Sequence, residues 1–534
     1  MKKNLLKKAI VLSLFLFQNA FYGQTITLGT AANFVLFTSV GAVTNTGISH
    51  LTGNVGSNSG SSTGFGNVNG VMNDSNGTSG QAATDLSIAY GQLDSAVPTF
   101  FVAPLLGNGQ ILPSGVYSIA GPATLNSQLI LNAESNPNAV WILQIDGAFA
   151  SAANAEVVLL NGAQACNVFW KVEGLVSLAS NTVMKGTIVA NNAAINLSAN
   201  VALEGRALST TGAVGVNGIT AKTPIGCGSP ILNGPVAPAL NATQCYVIFS
   251  SNGAVTNSGV TTATGDIGTN VGLTTGYNPL LVNGEIHSIP DTSTAAAAAD
   301  LIGVYNYLNL LPHDIELLYP AQFGNDLVLT PHTYLLNAAT TFNGNLTLNA
   351  EGNTNAVFVI KINGALSTST YAKVFLTNGT QAKNVYWKVD GAVLINNYSE
   401  IKGTVVGGGA VDITTGVILN GRAFTKTGAL STASISAQLP EACGLFNTAT
   451  FNSNDSVTVY PNPFQTNINV TFNDMNGFEN MNIQLYDTSG RLIKSVELSN
   501  PTTTISIDNL TSGFYFYTVS SNNKIIQTGK LISK

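Results

Sequence analysis

Charged side chains are scarce in this 534-residue sequence, at 9%, and so are the residues on which most catalysis and metal binding depend. Four histidines and four cysteines are present. They form no Cys-x-x-Cys pair and no Cys/His cluster, which excludes the usual zinc sites; neither metal nor cofactor is expected. The formal charge of −6 counts four early lysines; without Lys2, Lys3, Lys7 and Lys8 the remaining chain has 26 acids against 16 bases. No run of Lys or Arg follows, so nucleic acid is excluded as a partner. Long apolar runs are missing too. The segment Ala9–Phe17, behind the basic start MKKNLLKK, is shorter than the roughly 20 residues of a membrane span. Residues 1–24 read as a secretory signal, and no transmembrane segment is expected in the mature chain.

What the sequence does have is a repeat. Gly41-Ala42-Val43-Thr44-Asn45-Thr46-Gly47 returns as Gly253-Ala254-Val255-Thr256-Asn257-Ser258-Gly259. NAESNPNAVWILQIDGAFAS from Asn132 returns from Asn349, NGAQACNVFWKVEG from Asn161 returns from Asn378, and GRALSTTGAV from Gly205 returns from Gly421. Two homologous domains follow, at 25–228 and 240–445, joined by a short linker at 229–239. A finer period lies within each. Rows beginning at Val116, Trp141, Val168, Thr187 and Arg206 each hold three short apolar-rich segments, the pattern of a three-sided β-solenoid.

The three sides differ chemically. The first (WILQI, VFWKV, TIVAN) is apolar at nearly every position and so is expected to be covered. Ala82, Leu86, Ala89, Tyr90 and Leu93, and likewise Leu301, Val304, Tyr305 and Leu308, recur at helical spacing and predict the covering helix. On the second side, taking Val176, Leu178, Ile195, Leu197, Val214 and Val216 as inward leaves Ser177, Ala179, Asn196, Ser198, Gly215 and Asn217 outward. Thr124, Asn126, Ala150 and Ala152 extend that set. Every member is small and uncharged. The second domain offers Thr341, Asn343, Ser367, Ser369, Asn396, Thr414 and Ser431, interrupted by Leu394 and Asp412.

Four cysteines in an exported chain allow three disulfide pairings; the repeat favours Cys166–Cys227 and Cys245–Cys443, one staple per domain. Catalysis is not expected. The histidines have no counterpart in the other repeat, Glu204 aligns with Asn420 and Asp146 with Asn363, and no nucleophile-and-base arrangement is visible. GFGNVNG at Gly64–Gly70 lacks the strand–helix context and the Lys of a phosphate loop, and reads as a turn.

After a polar linker at 446–457 comes a β-pattern at 458–534. Its Val459-Tyr460-Pro461-Asn462-Pro463-Phe464, IQLYDTSGRLIKS and LTSGFYFYTVSSNNKIIQTGKLISK resemble the C-terminal sorting domain of the type IX secretion pathway. That resemblance implies the type IX machinery as a partner, and release or attachment at the outer cell surface. In the repeats, LGTAANFVLFTSVGAVTNTG, NAVWILQI, the Asn167–Trp170 block and Gly205-Arg206-Ala207 resemble the bacterial and microbial ice-binding protein family. This implies a discontinuous right-handed β-solenoid with a flanking helix. The expected architecture is thus mainly β: two tandem right-handed three-sided β-solenoids, each with a flanking α-helix, plus a small C-terminal β-sandwich. The implied partner is an ice crystal surface, met by the small-residue side, with inhibition of recrystallisation as the expected effect. The family's Thr-Ala/Gly-x-Thr/Asn motif is matched at Thr30-Ala31-Ala32-Asn33 and Thr220-Ala221-Lys222-Thr223, neither within that side. The rival expectation is a surface adhesin or structural repeat binding glycan or other cells, which exposed aromatic side chains would favour.

Overall fold

The computed structural model describes residues 26–227, 231–441, 457–472, 480–488, 490–507, 510–522 and 524–534. Residues 1–24, expected as a secretory signal, most of the 446–457 segment expected as a linker, and Cys443 lie outside the described residues. The chain divides into two compact units, Met1–Cys443 and Gly444–Lys534.

The first unit holds both solenoids. In the first solenoid every strand pairing is parallel, and the side expected to be covered runs in the order Met72–Asp74, Asn54–Ser57, Phe34–Thr38, Ala202–Ser209, Val183–Ala190, Val168–Val172, Trp141–Ile145, Gly115–Ile119, Phe100–Phe101. The order is discontinuous. The first strand, Phe34–Thr38, lies between Asn54–Ser57 and the last coil, with Leu36 opposite Ala207. The chain then returns along the stack through helix α1, Gly77–Asp94, and restarts at the far end. Row-by-row stacking from Val116 omitted the coils of residues 34–74 and 100–112. It also slipped by one residue: Gly115 pairs with the Trp141 position, and Thr187 pairs with Phe169. A side that is apolar throughout gives no alternation from which to read register.

Helix α1 starts with a capping box, Asn76 accepting from the Ser79 N–H and the Ser79 hydroxyl accepting from the Asn76 N–H, which satisfies two otherwise orphaned donors. It buries Ala82, Leu86, Ala89 and Leu93 against Phe34, Phe37, Ile142, Phe169, Val189 and Leu208, while Tyr90 is half-buried and donates to Glu173 Oε1 at 2.6 Å. Helix α2, Thr292–Leu310, repeats the arrangement in the second solenoid, burying Leu301, Val304, Tyr305 and Leu308 against Tyr246, Phe249, Tyr386 and Phe424.

The recurring motifs build the scaffold. A Cβ on Gly205 would come within 1.8 Å of Gly186 O, and one on Gly421 within 1.8 Å of Gly403 O, so adjacent coils touch backbone to backbone there. Buried Arg206 donates from Nε to Ala32 O at 2.7 Å, pinning the N-terminal segment. Trp170 and Trp387 donate from their indoles to Lys185 O and Lys402 O, each at 2.9 Å. Cys166 and Cys227 are bonded, with Cα atoms 6.1 Å apart.

The two solenoids meet through the loop Gly64–Gly70, so that loop does more than turn the chain. Asn67 Nδ2 donates to Tyr319 O and Tyr319 N donates to Asn67 Oδ1, both at 2.9 Å. Asn69, 2% exposed, donates to Thr330 Oγ1 at 3.0 Å and accepts from Tyr334 OH at 2.7 Å. The linker follows the second solenoid, with Asn233 O accepting from Val357 N at 2.9 Å.

The second unit has a three-stranded and a four-stranded antiparallel sheet. Phe464, Ile468, Val470, Ile483, Leu485, Val519 and Leu531 form its shared core, the layout of a small β-sandwich.

Candidate functional site

Among the described residues, one side of each solenoid is both uncovered and free of repeated charge. The first side lies under α1 or α2. The third carries ion pairs: Glu204 takes Lys185 at 2.9 Å and Lys222 at 3.6 Å. Burial alone would raise the Glu204 carboxyl, but the two lysines outweigh it and hold the group below the usual carboxylate range. Such charges order water around themselves and leave the second side as the candidate.

In the first solenoid that side is an eight-stranded parallel ladder: Ser62–Thr63, Val43–Thr46, Val214–Asn217, Ile195–Leu197, Val176–Leu178, Phe149–Ser151, Ala123–Asn126, Leu105–Gly107. Its alternating residues Val43, Val214, Val216, Ile195, Leu197, Val176, Leu178, Phe149 and Leu125 are buried. Between them runs an outward column in continuous register: Thr63, Thr44, Gly215, Asn196, Ser177, Ala150, Thr124, Leu105. Thr124 and Asn196 are exposed, and Ala150, Ser177 and Gly215 are half-buried. A second outward row holds exposed Thr46, Asn217 and Asn126, with half-buried Ser198, Ala179 and Ala152 just beyond their strands. No charged residue stands in either row. At strand spacings of about 4.8 Å across and about 6.6 Å along, eight strands present a grid about 33 Å long.

The grid is held from beneath and from its border. Asn45 points inward, 7% exposed, and donates to Gly47 O and Gly64 O, both at 2.9 Å, while accepting from Ser49 Oγ at 2.6 Å. Along the corner beside the ladder, Asn200 donates to Asn181 Oδ1 and Asn181 to Asn154 Oδ1, each at 3.2 Å. All three adopt positive φ, a conformation Asn tolerates better than most residues. Thr44, Thr46 and Thr63 escaped the sequence reading because their coil comes from the N-terminal segment. A signal was present: Gly41-Ala42-Val43 repeats Gly212-Ala213-Val214, the segment it pairs with.

The ladder of the second solenoid also has eight strands. Its outward column reads Thr275, Thr256, Ser431, Asp412, Leu394, Ser367, Thr341. Asp412 is exposed and accepts from Ser431 Oγ at 2.6 Å; Leu394 is 36% exposed. Asn343, Ser369, Asn396 and Thr414 are half-buried in the neighbouring row. A charge and a branched apolar side chain therefore divide this column into two short stretches.

Thr30-Ala31-Ala32-Asn33 falls in a 3₁₀ turn against α1, where Thr30 N donates to Asp85 Oδ2 at 2.7 Å. Thr220–Lys222 is a third-side strand. Among the described residues no group of three or more His, Cys, Asp or Glu is placed to hold a metal ion, and no helix is long and apolar enough to cross a membrane. Cys245 is disulfide-bonded; its expected partner, Cys443, lies outside the described residues.

Comparison with known proteins gives two family matches and three similar proteins. The family model described as Ice-binding-like matches residues 37–222 and 249–436, and the secretion system C-terminal sorting domain model matches residues 458–534. A crystal structure of an ice binding protein from an Antarctic bacterium Flavobacteriaceae is 63% identical, with a TM-score of 0.77, covering 79% of this chain and 100% of that one. An ice-binding protein of Nostoc sp. (strain HG1) is 36% identical over 216 residues, 39% of this chain and 79% of the relative. Ice-binding protein 1 of Shewanella frigidimarina (strain NCIMB 400) is 26% identical over 377 residues, 64% of this chain but only 41% of that protein. Each of these three relatives is described as an ice-binding protein.

Proposed function

The chain belongs to the Ice-binding-like family and carries a type IX sorting domain that directs it to the outside of the cell, and from that premise we propose that it adsorbs to ice through the eight-stranded ladder of its first solenoid. One observation carries this: the column Thr63–Thr44–Gly215–Asn196–Ser177–Ala150–Thr124 runs through paired strands without a charged residue. Thr, Ser and Asn hydrogen-bond first-shell water without the strong hydration of an ion, and Gly and Ala keep the surface low. Each contact is weak. Many act together because the scaffold is ordered before binding, so little ordering cost remains. The second ladder, interrupted at Leu394 and Asp412, supplies a weaker surface, and engagement of one crystal by both raises retention through effective concentration. Bound at growth steps, such a protein inhibits recrystallisation.

The test is partition of the full chain into a slowly grown ice front. Ser177→Tyr and Thr44→Tyr each place a ring on the grid and are expected to cut incorporation at least tenfold. Thr220→Tyr, on the third side, leaves it unchanged. Wild-type exclusion from ice overturns the function. If S177Y and T44Y enter ice like wild type, the face is wrong.

A further inference from the structure

The corner between the ladder and the third side contains a step. In the second solenoid, the coil from Phe342 to Leu346 pairs with the coil from Thr368 to Val374, which carries two more residues across the same corner. The longer corner stands proud, and Tyr371 sits on it. Its ring stacks on Tyr398 of the next coil, with centroids 5.1 Å apart and planes 15° from parallel. Tyr398 in turn lies over Gly416, whose Cβ position is 2.3 Å from the ring. Tyr371 and Tyr398 are 62% and 49% exposed. On the other side of Tyr371 the short corner turns at Gly344, where a Cβ would meet nothing within 4 Å. Polar groups border this shelf: half-buried Asn343, and Asn345, which donates to Asp326 Oδ1 at 2.8 Å.

The first solenoid has the same step, with two extra residues between the pairs Leu125/Ser151 and Leu129/Val157. There the proud corner holds Asn154, whose carbonyl is taken by Asn181, and no ring is exposed. An aromatic wall over an open glycine floor is thus a property of the second domain alone. Nothing in the fold needs it, since the Asn column closes the same corner.

We propose that this shelf binds a hexopyranose residue of a neutral polysaccharide. A pyranose ring has an apolar C–H face and a rim of hydroxyls. Its flat face packs on the free side of Tyr371 at about 3.5–4.0 Å, while the side-chain oxygens of Asn343, Asn345 and Asp326 accept from its rim hydroxyls. The Tyr398 stack holds the Tyr371 ring in place, so binding orders little. A peptide aromatic could stack on the same ring but would leave the polar border unmatched. The site is separate from the first ladder and gives an exported ice-binding chain a second attachment, to cell-surface or matrix glycan.

Retention of the full chain on cellulose, mannan and agarose matrices tests this, with elution by the corresponding free hexose. At least one matrix is expected to retain wild type. Tyr371→Ala, and independently Gly344→Asn, which fills the shelf while accepting the positive φ of 60° at that residue, each weaken retention about tenfold, the scale of one ring-stacking contact. Partition into ice stays unchanged in both, which separates this site from the ladder. Failure of all three matrices to retain wild type refutes the proposal, as does wild-type retention of both variants. Displacement by a tyrosine-rich peptide but not by sugar also refutes it, in favour of a protein partner. Should Y371A not fold, G344N carries the test.

Discussion

Asn69 ties the two solenoids together, and its removal has a calculable cost. The side chain is 2% exposed and makes two well-formed bonds across the junction, to Thr330 Oγ1 at 3.0 Å and from Tyr334 OH at 2.7 Å. Each intramolecular hydrogen bond contributes about 0.5–1.5 kcal/mol net, so two amount to about 1–3 kcal/mol. In Asn69→Ala the partners are not stranded. Tyr334 OH still donates to Thr330 O at 2.7 Å, and Thr330 Oγ1 still faces His332 Nδ1 at 3.3 Å. The expected loss therefore falls in the lower half of that range, about 1–2 kcal/mol. For a single solenoid of about 200 residues, each kcal/mol lowers Tm by about 2–4 °C. Calorimetry of the full chain measures this. Asn69→Asp adds a sign. A carboxyl enclosed at this position has its pKa raised above the unfolded value of about 3.9. Its contribution is intact below that value and is lost as pH rises through the folded pKa. N69D is therefore closest to wild type at low pH and falls below N69A near neutrality. A Tm for N69A within 1 °C of wild type, or an N69D deficit that does not grow with pH, refutes the reasoning.

Two further outcomes are expected. Replacing both interruptions of the second ladder, L394S/D412S, in an S177Y background raises ice incorporation above that of S177Y alone; no gain in the partition assay argues against a uniform uncharged column as the determinant. Burial would raise the Glu173 carboxyl, but Asn191 at 2.8 Å, Lys171 at 2.7 Å and Tyr90 at 2.6 Å outweigh it and hold the pKa below its ordinary 4.5. The resulting stability is present above about pH 4.5 and lost as pH falls through the lower folded value, so Glu173→Gln flattens the acid limb of a Tm–pH curve, and an unchanged limb counts against the network.

How much of this was legible depended on chemistry that alternates. On the ladder, strict exchange of Val, Ile and Leu with Ser, Asn and Ala left one register that buries the apolar set, and Ser177 and Asn196 stand outward. On the helix-covered side both faces are buried, so Trp141–Ile145 is apolar on every residue and its register could slip unnoticed. The place of Phe34–Thr38 was hidden for another reason: its partners lie at the opposite end of the domain sequence, and local pattern says nothing of distant pairing. Asn69 and Tyr371 were invisible in a different way. A loop asparagine and a corner tyrosine carry no periodicity, and only their neighbours in space give them a role.

The pairing of Leu36 with Ala207 also fixes what this architecture can become. An open solenoid lengthens by copying one turn at its free end. Here the opening strand is clasped between the final turn and the next segment, so the closing end admits no insertion without breaking that clasp. The area offered to a crystal by one domain is in this sense quantised. A chain built this way enlarges its contact surface by doubling the whole barrel-like body, and the second copy, freed from carrying the first grid alone, can vary its corners for other tasks.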